Sequence, residues 1–450
     1  MYVTGLRLDG VRGFHDARAC VLDFTRPDGS YAGWTVIAGR NGSGKTTLLR
    51  TIALGLAGHR RASQLDGDLE DHLSYGRTCG SLAVDIKADP AFDTGAHSAE
   101  DVLTAELLWE PERDSFDADD EPPTELRFRG GGVLDPLLWS SRPPKGWFHA
   151  AYGPFRRLTG TGMHERTPPT ADRVAALRTL FEEQSALTES VDWLISLHLR
   201  ELEGEAGAGE LLTSVRALLN DGLLPDGYCV MGVNSGGLWL RRSDGTGPVV
   251  ALRRMSDGLR TVTALVLDIV RHMHAAYNRL ELRHDERGDP YLPHPGVVLI
   301  DEVDAHLHVS WQQSIGAWFR AHFPAVQFIV STHSPYICQA ADLNGLIQLP
   351  GSDDQEPPRV VSEELYGRVV YGTLDDVVLT DLFGIDSLYS DRAEKLRREL
   401  VDLEFDVMTG RADEAMVRRH RELRRKLASS QAARVDELSE RARRREAHGS

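Results

Sequence analysis

The sequence predicts an α/β protein with a mixed central sheet and flanking helices, extended by a helical block and a helical C-terminal tail. The short apolar strand Trp34–Ala38 leads into a glycine-rich loop and then into a helical stretch. Residues 297–300 and 327–330 form short apolar runs, which are typical of central parallel strands covered on both faces. Apolar residues recur three or four positions apart in 171–220 and from 391 to about 447, and this spacing predicts helices.

The other elements follow from alternation and from breakers. Glycine and proline residues interrupt the first forty positions, and short runs that mix apolar and polar side chains lie between the breakers. A helix is predicted over Thr47–Leu56, ending at Gly58. Strands are predicted at Tyr2–Leu8, Ala19–Phe24, Ser81–Ile86, Thr104–Trp109 and Trp147–Tyr152.

Length and composition indicate an ordinary soluble chain. Its 450 residues have room for one to three domains, and 41% of them are apolar while 26% are charged. No run of eighteen apolar residues occurs, and the N-terminus lacks a basic segment followed by an apolar run, so we expect neither a membrane helix nor secretion. The four cysteines form no CxxC pair, and we therefore expect a cytoplasmic protein without a zinc ribbon or a disulfide scaffold.

Charge is distributed unevenly along the chain. Residues 390–450 carry 16 basic and 13 acidic side chains, whereas residues 1–389 carry 35 basic and 55 acidic ones. An acidic body disfavours a protein that coats DNA with its whole surface, although local basic patches can still contact DNA. Lysine is rare, so a lysine at a chemically demanding position stands out.

The glycine-rich loop carries the strongest chemical signal. It has the pattern Gly-x4-Gly-Lys-Thr between a strand and a helix, the context in which successive amides and a helix N-terminus hold a β-phosphate. Lys45 would bridge the β- and γ-phosphates, and the Thr46 hydroxyl would coordinate Mg²⁺. The predicted nucleotide-binding residues of the loop are Gly39, Arg40, Asn41, Gly42, Ser43, Gly44, Lys45, Thr46 and Thr47.

An acidic pair and a histidine follow two of the predicted central strands. Asp301 ends the first apolar run and can face the metal, while the adjacent Glu302 can act as general base for an attacking water. His333 follows the second run, and a histidine at the carboxyl end of a neighbouring strand can reach a γ-phosphate. The sequence thus predicts Lys45, Glu302 and His333 as catalytic residues, and Thr46 and Asp301 as metal ligands.

A second anion site is predicted before Asp301. Ser256 and Gly258 begin an apolar helical run, where a hydroxyl and free amides can bind phosphate. An ordinary helix N-cap is the alternative interpretation. Because one chain needs only one phosphate cradle, the second one suggests a composite site shared between two protomers.

These motifs, in this order, resemble those of the ABC-type ATPases, which include the SMC/RecF group and the overcoming-lysogenization-defect nucleases. Residues 299–308, Trp311-Gln312, Phe323-Pro324 and 327–335 look like the stand-alone bacterial ATPases of that group. Some of those ATPases partner a nuclease in antiphage defence, as in the Septu-type systems. The similarity covers roughly residues 1–349, with specific motifs at 36–58 and 251–336.

The resemblance implies the remaining roles. Ser256 and Gly258 would contact the γ-phosphate held by a partner protomer, Asp304 would lie at the dimer interface, and His333 would be the switch histidine. Residues 1–389 would form the ATPase head, with a phosphate-loop lobe at 1–160, a helical lid at about 165–225 and a second lobe at 250–389. Residues 390–450 would form the Arg/Glu-rich helical tail.

Some features of the family pattern have no clear counterpart here, and other interpretations remain open. The glutamine loop is not identified; Gln64 and the segment 152–157 are candidates. His306 and His308 have the spacing of metal ligands, but a helix start is the favoured interpretation, as it is for the helical His272 and His274. An intrinsic nuclease is disfavoured because Glu363, Asp375 and Asp376 lack the arrangement that two metals need.

The resulting functional expectation is an ATP- and Mg²⁺-dependent homodimeric switch that hydrolyses ATP slowly and regulates a separate effector. A nuclease in antiphage defence is the preferred effector. The alternatives are a DNA repair or recombination ATPase of the RecF/SMC type and a non-catalytic scaffold locked by ATP. Basic residues of the tail, including Arg418, Arg421 and a cluster at 441–445, form either a solvated helix or a surface that docks a partner or contacts DNA.

Overall fold

A computed structural model describes residues 1–95, 102–111, 126–131, 144–156, 173–182, 187–385 and 387–427. The chain divides into two compact units, Met1–Gly384 and the residues from Ile385 onward. The basic cluster at 441–445 lies outside the described residues.

The secondary-structure elements are numbered in chain order. The strands are β1 Tyr2–Asp9, β2 Cys20–Asp23, β3 Gly33–Gly39, β4 Gly80–Lys87, β5 Val102–Pro111, β6 Leu126–Gly131, β7 His149–Tyr152, β8 Tyr228–Asn234, β9 Gly237–Arg242, β10 Val250–Ala251, β11 Arg283–His284, β12 Pro290–Tyr291, β13 Gly296–Ile300, β14 Val326–Thr332, β15 Leu346–Leu349 and β16 Arg359–Val360. The helices are α1 Lys45–Ala57, α2 His59–Leu65, α3 Ala175–Arg178, α4 Thr188–Leu202, α5 Ala208–Asn220, α6 Asp257–Tyr277, α7 Val309–His322, α8 Pro335–Gln339, α9 Glu363–Tyr371, α10 Leu374–Val378, α11 Asp391–Met408 and α12 Glu414–Leu427.

The central sheet has six strands in the order β16-β15-β3-β14-β13-β7. All pairs are parallel except β15–β16, so the predicted mixed sheet is confirmed. Every residue of β13 and β14 is buried, as their apolar runs predict for strands covered on both faces. Because β3, β14 and β13 are neighbours, the segments that follow their carboxyl ends meet at one edge of the sheet.

A second, antiparallel sheet has the order β2-β1-β4-β5-β6, and its strands confirm the β structure predicted for the N-terminal region. Helix α1 packs against this sheet as well as the central one, since its buried leucines share a core with Val84 and with Val297. Gly55 allows the close approach, because a Cβ atom there would overlap the side chain of Val84.

The predicted helical stretch 171–220 consists of three helices, α3, α4 and α5, and residues 171–172 and 183–186 lie outside the described part. The break between α4 and α5 occurs at Gly204 and Gly207, whose φ angles of 79° and 85° are left-handed. Trp193 of α4 and Val215 of α5 share one core with Val298, so these helices are built onto the central sheet.

The strand predicted at Trp147–Tyr152 is shorter than expected. It begins at His149, because Trp147 adopts a left-handed φ of 56° that does not fit an extended strand. The Trp147 N–H donates to the carboxylate of Asp93, which stabilises this bend.

Within the C-terminal unit, the predicted helical tail corresponds to two helices, α11 and α12, with the chain turning at Gly410, whose φ is 71°. The part of the tail from 428 to 450 lies outside the described residues. Arg419 of α12 donates from Nε and Nη2 to Glu399 of α11, at 2.7 and 3.0 Å. Ser390 caps α11 by accepting a hydrogen bond from the N–H of Ala393. In the described part of the chain, no helix has the length and apolar character needed to span a bilayer.

Candidate nucleotide-binding site

The glycine-rich loop joins β3 to α1 at the edge where the central strands end. Gly42 and Gly44 have left-handed φ angles of 74° and 102°. A Cβ atom on Gly44 would lie 2.6 Å from the ring of Phe14, and one on Gly39 would overlap the carbonyl oxygen of Leu349. Beside Gly42, by contrast, the space is open. The loop therefore combines left-handed turns that glycine adopts freely with open space beside Gly42, which suits close approach of a phosphate to backbone amides.

Lys45 opens α1 and is almost fully buried. Its Nζ donates to the carbonyl oxygens of Gly39 at 2.8 Å and Arg40 at 3.0 Å. Burial lowers the pKa of Lys45, while the carboxylates of Asp301, Glu302 and Asp304 oppose that shift. The ammonium group thus lies over the loop and within the field of the three acidic side chains.

The two residues predicted to hold the metal are in direct contact. Thr46 Oγ1 donates to Asp301 Oδ2 at 2.7 Å, and Ser331 donates to the other oxygen of the same carboxylate. Asp301 is 1% exposed and follows β13 directly. A hydroxyl and a carboxylate are hard oxygen donors of the kind that Mg²⁺ prefers, so these side chains fit that ion.

Glu302 follows in a constrained backbone conformation. Its φ of 44° is uncommon for a residue with a side chain. Its N–H donates to Ser331 Oγ at 2.8 Å, and its carbonyl oxygen accepts from Arg156 Nη2 at 2.9 Å. The sequence alone assigned no role to Ser331, which lies two positions before His333. Arg156 was named only as part of the segment 152–157, a candidate for the glutamine loop.

Asp304 and His333 lie next to each other, on the segments after β13 and β14. Thr332 Oγ1 and the N–H of His333 both donate to Asp304 Oδ1, the latter at 3.3 Å. Burial lowers the pKa of His333, and the nearby Lys45 ammonium lowers it further, against the three carboxylates of the site. The structure therefore brings the loop, Asp301, Glu302, Asp304 and His333 together.

Ser256 and Gly258 lie at the start of α6, as predicted. Ser256 is the exposed N-cap residue, and its side chain forms no capping hydrogen bond. A Cβ atom on Gly258 would lie 2.5 Å from the carbonyl oxygen of His306, so α6 starts against the segment that follows Asp304. Among the described residues, no hydrogen bond joins Ser256 to the glycine-rich loop of its own chain.

The other candidates lie outside this cluster. Gln64 is on α2, where its side chain accepts a hydrogen bond from Arg61. His308 is the N-cap of α7 and accepts from the N–H of Ser310 at 3.3 Å, as expected for a helix start. His272 lies on α6 with its Nε2 3.4 Å from Asp268. The described residues contain no group of three or more His, Cys, Asp or Glu side chains placed to hold a metal ion.

Comparison with known proteins finds similarity in two parts of the chain. A family model whose description names an AAA domain and the AbiEii toxin of a type IV TA system matches residues 178–339, and a second AAA-domain model matches residues 6–96. The chain is 34% identical over 157 residues to the Escherichia coli protein Retron Ec83 probable ATPase, covering 35% of this chain and 26% of that one. It is 25% identical over 338 residues to Septu protein PtuA of Bacillus mycoides strain KBAB4, covering 75% of this chain and 38% of that one.

The chain thus spans less than half the length of these relatives. Among solved structures, an SMC head bound to the C-winged helix domain of ScpA has a TM-score of 0.46 and 16% identity, covering 81% of this chain and 99% of that one.

A phosphate loop on β3, an acidic pair after β13 and a histidine after β14 define an ABC-type ATPase fold, which implies nucleotide binding. Within that class, parts of the chain are similar in sequence to a retron protein named as a probable ATPase and to a Septu protein.

Proposed function

We propose that this chain binds and hydrolyses ATP as a homodimer and acts as a slow switch for a separate effector. The observation that carries the proposal is the direct contact of Thr46 with Asp301, because it joins the phosphate loop to the acidic pair in one site. Glu302 and His333 lie at the same edge of the sheet, so the residues needed for binding and for hydrolysis are adjacent.

In this proposal each side chain has a defined task. The amides of the loop and the Lys45 ammonium hold the β- and γ-phosphates, and Thr46 and Asp301 hold Mg²⁺. When bound, Mg²⁺ neutralises charge on the phosphate oxygens. The Glu302 carboxylate accepts a proton from water as the water oxygen bonds to the γ-phosphorus and the bond to the β-phosphate oxygen breaks, giving ADP and phosphate. His333 would donate a hydrogen bond to the γ-phosphate.

The position of Ser256 and Gly258 supports the proposed homodimer. They lie at a helix start that contacts the segment after Asp304, and among the described residues neither forms a hydrogen bond to the loop of its own chain. A second protomer would place this helix start against the γ-phosphate held by the first, so that two nucleotides are enclosed between two chains.

Two substitutions test this function. Lys45→Ala should abolish ATP binding, whereas Lys87→Ala, which changes a lysine on β4, should leave it intact. Glu302→Gln should keep ATP binding, stop phosphate release and trap the dimer, as seen by light scattering after size exclusion. If Glu302→Gln hydrolyses ATP at the wild-type rate, Glu302 is not the general base.

A non-catalytic scaffold, in which ATP only locks the dimer, is the competing function. Phosphate release from the purified chain separates the two, and it should be measured with and without DNA. Turnover under either condition supports the ATPase, and its absence under both, with ATP-dependent dimerisation retained, supports the scaffold.

We further propose that the effector is a nuclease and that the setting is antiphage defence, with DNA repair as the alternative. Sequence similarity to a Septu protein and a retron ATPase supports this setting. Plating of phages on cells that carry the chain with its neighbouring genes tests it, with Lys45→Ala as the matched control. Copurification of the neighbouring protein tests the complex, and Glu302-dependent DNA cleavage by this chain alone would exclude a separate nuclease.

A further inference from the structure

Arg156 is a buried cation with an unusual set of partners. It follows β7 and is 3% exposed. Its Nη1 donates to the carbonyl oxygens of Gly153 at 3.1 Å and Asp301 at 2.7 Å, and its Nη2 donates to that of Glu302 at 2.9 Å. Within the described residues the guanidinium forms no ion pair, and its two terminal nitrogens donate hydrogen bonds to three backbone carbonyl oxygens.

The guanidinium remains a cation at neutral pH. Burial lowers the pKa of Arg156 to about 10, and the carboxylates of Asp301, Asp304 and Glu302 oppose that shift. A buried charge is retained only where its hydrogen bonds and nearby counter-charges compensate for lost hydration. The acidic side chains of the candidate site supply that compensation without touching the guanidinium.

Arg156 binds the Asp301–Glu302 turn, whose backbone conformation sets the direction of the Glu302 side chain. With a φ of 44°, Glu302 has a backbone conformation that L-residues adopt only when their surroundings impose it. Ser331 Oγ binds the N–H of Glu302 from one side, and Arg156 binds the carbonyls of Asp301 and Glu302 from the other. Without the hydrogen bonds of Ser331 or of Arg156, the backbone of the turn would relax and the Glu302 carboxylate would change direction.

Arg156 is in turn held by α6. Thr261 Oγ1 donates to the carbonyl oxygen of Arg156 at 3.2 Å, and Thr261 is 5% exposed. Helix α6 therefore contacts the segment after β7 through Thr261 and the segment after β13 through Gly258, which lies against the carbonyl oxygen of His306. Hydrogen bonds thus connect α6 to the main chain of Arg156, and the Arg156 side chain to the Asp301–Glu302 turn.

We propose that Arg156 is a positioning residue for ATP hydrolysis, which holds the Asp301–Glu302 turn so that Glu302 faces the attacking water and ties that turn to α6. The proposal rests on the proposed ATPase function. It assigns Arg156 no contact with nucleotide, so its effect falls on turnover and not on ATP binding.

The first test uses Arg156→Lys and Arg156→Met, with circular dichroism and thermal unfolding to establish that both fold. Since the turn would relax, kcat should fall by about tenfold or more in Arg156→Lys and further in Arg156→Met. KM and the Kd for ATP should stay within about twofold of wild type. A rise in KM at unchanged kcat would overturn the proposal, as would wild-type kcat in Arg156→Met.

The second test does not depend on hydrolysis and therefore separates failure of this proposal from failure of the ATPase function. Hydrogen exchange of a peptide spanning residues 296–308 should be faster in Arg156→Lys and in Thr261→Val than in wild type. Thr263→Val is the matched control, because the Thr263 hydroxyl donates only within α6, to Leu259 at 2.8 Å. Unchanged exchange in both Arg156→Lys and Thr261→Val would overturn the proposal even if the wild-type chain hydrolyses no ATP.

Discussion

The hydroxyl of Thr46 donates a hydrogen bond of 2.7 Å to Oδ2 of Asp301, across 255 positions of the sequence. Thr46 is in the first turn of α1 and Asp301 is the residue after β13, so the bond joins the two halves of the candidate site. Ser331 holds the other oxygen of the same carboxylate. A divalent cation bound between Thr46 and Asp301 would replace this hydrogen bond, and oxygen atoms of both side chains would hold it.

Thr46→Val is expected to weaken Mg²⁺-dependent ATP binding by at least about tenfold, because it removes a proposed metal ligand with little change in side-chain shape. Titration with a fluorescent nucleotide measures this in Mg²⁺ and in EDTA, and the loss should disappear in EDTA. Thr51→Val is the control, since the Thr51 hydroxyl is buried in the same helix and donates only to Leu48. Equal losses with and without Mg²⁺ would show that Thr46 acts in some other way.

Gly258→Ala is expected to block ATP-driven dimerisation while leaving ATP binding to the single chain intact. The new methyl group would lie 2.5 Å from the carbonyl oxygen of His306 and would displace the start of α6. Light scattering measures the molar mass with ATP of a chain that carries both Gly258→Ala and Glu302→Gln, compared with the chain that carries Glu302→Gln alone.

The control for that experiment is Gly367→Ala in α9, where a Cβ atom meets no neighbour within 4 Å. It should dimerise normally and gain about 0.5–1 kcal/mol of stability from its reduced backbone entropy. Normal dimerisation of Gly258→Ala would mean that the α6 start tolerates displacement.

His149 is expected to make folding stability depend on pH. It is buried on β7, and desolvation lowers its pKa to about 3, with a further contribution from Arg173. Between pH 6.5 and pH 3 the unfolded chain binds a proton that the folded chain excludes, so stability falls as the pH drops below 6.5. At pH 5 the protonation of His149 in the unfolded chain lowers the free energy of unfolding by about 2 kcal/mol.

Denaturant unfolding at pH 7.5 and pH 5.0 tests this expectation. His149→Asn keeps a donor for the carbonyl oxygen of Trp147, which lies 3.2 Å from His149 Nδ1. The variant should therefore lose about 2 kcal/mol less than the wild type between the two pH values. The same loss in both proteins would exclude His149 as the cause.

Gly384→Ala is expected to weaken ATP binding although Gly384 is far from the loop in sequence. A Cβ atom there would overlap the guanidinium of Arg40, which is part of the glycine-rich loop. We expect the Kd for ATP to rise by about tenfold, equivalent to ~1.4 kcal/mol. Isothermal titration calorimetry measures this change.

Gly410→Ala separates the overlap with Arg40 from backbone strain. Gly410 has a left-handed φ of 71°, close to the 61° of Gly384, but a Cβ atom on it meets no neighbour within 4 Å. In both variants the free energy of unfolding should fall by about 1–2 kcal/mol, because alanine disfavours the left-handed conformation. Only Gly384→Ala should change the affinity for ATP; a similar change in Gly410→Ala would trace the effect to strain alone.

Much of the fold could be predicted from local patterns. The apolar runs of β13 and β14, the strand–loop–helix around Gly39–Thr46 and the spacing in the tail all correspond to elements at those places. Boundaries were less predictable: His149 replaces Trp147 as a strand start, because the left-handed Trp147 depends on Asp93, fifty-four positions earlier.

The sequence by itself determined the loop, the acidic pair and the histidine as a candidate site, because the phosphate and metal chemistry proposed for them allows few residue types at short spacing. Only the tertiary structure decided that Arg156 and Ser331 hold the Asp301–Glu302 turn and that Gly258 abuts His306. Arg156 and Gly258 meet backbone carbonyls, and Ser331 binds the Glu302 amide as well as the Asp301 carboxylate. Every residue supplies such a carbonyl and nearly every residue such an amide, so these contacts leave no pattern along the chain until folding brings the segments together.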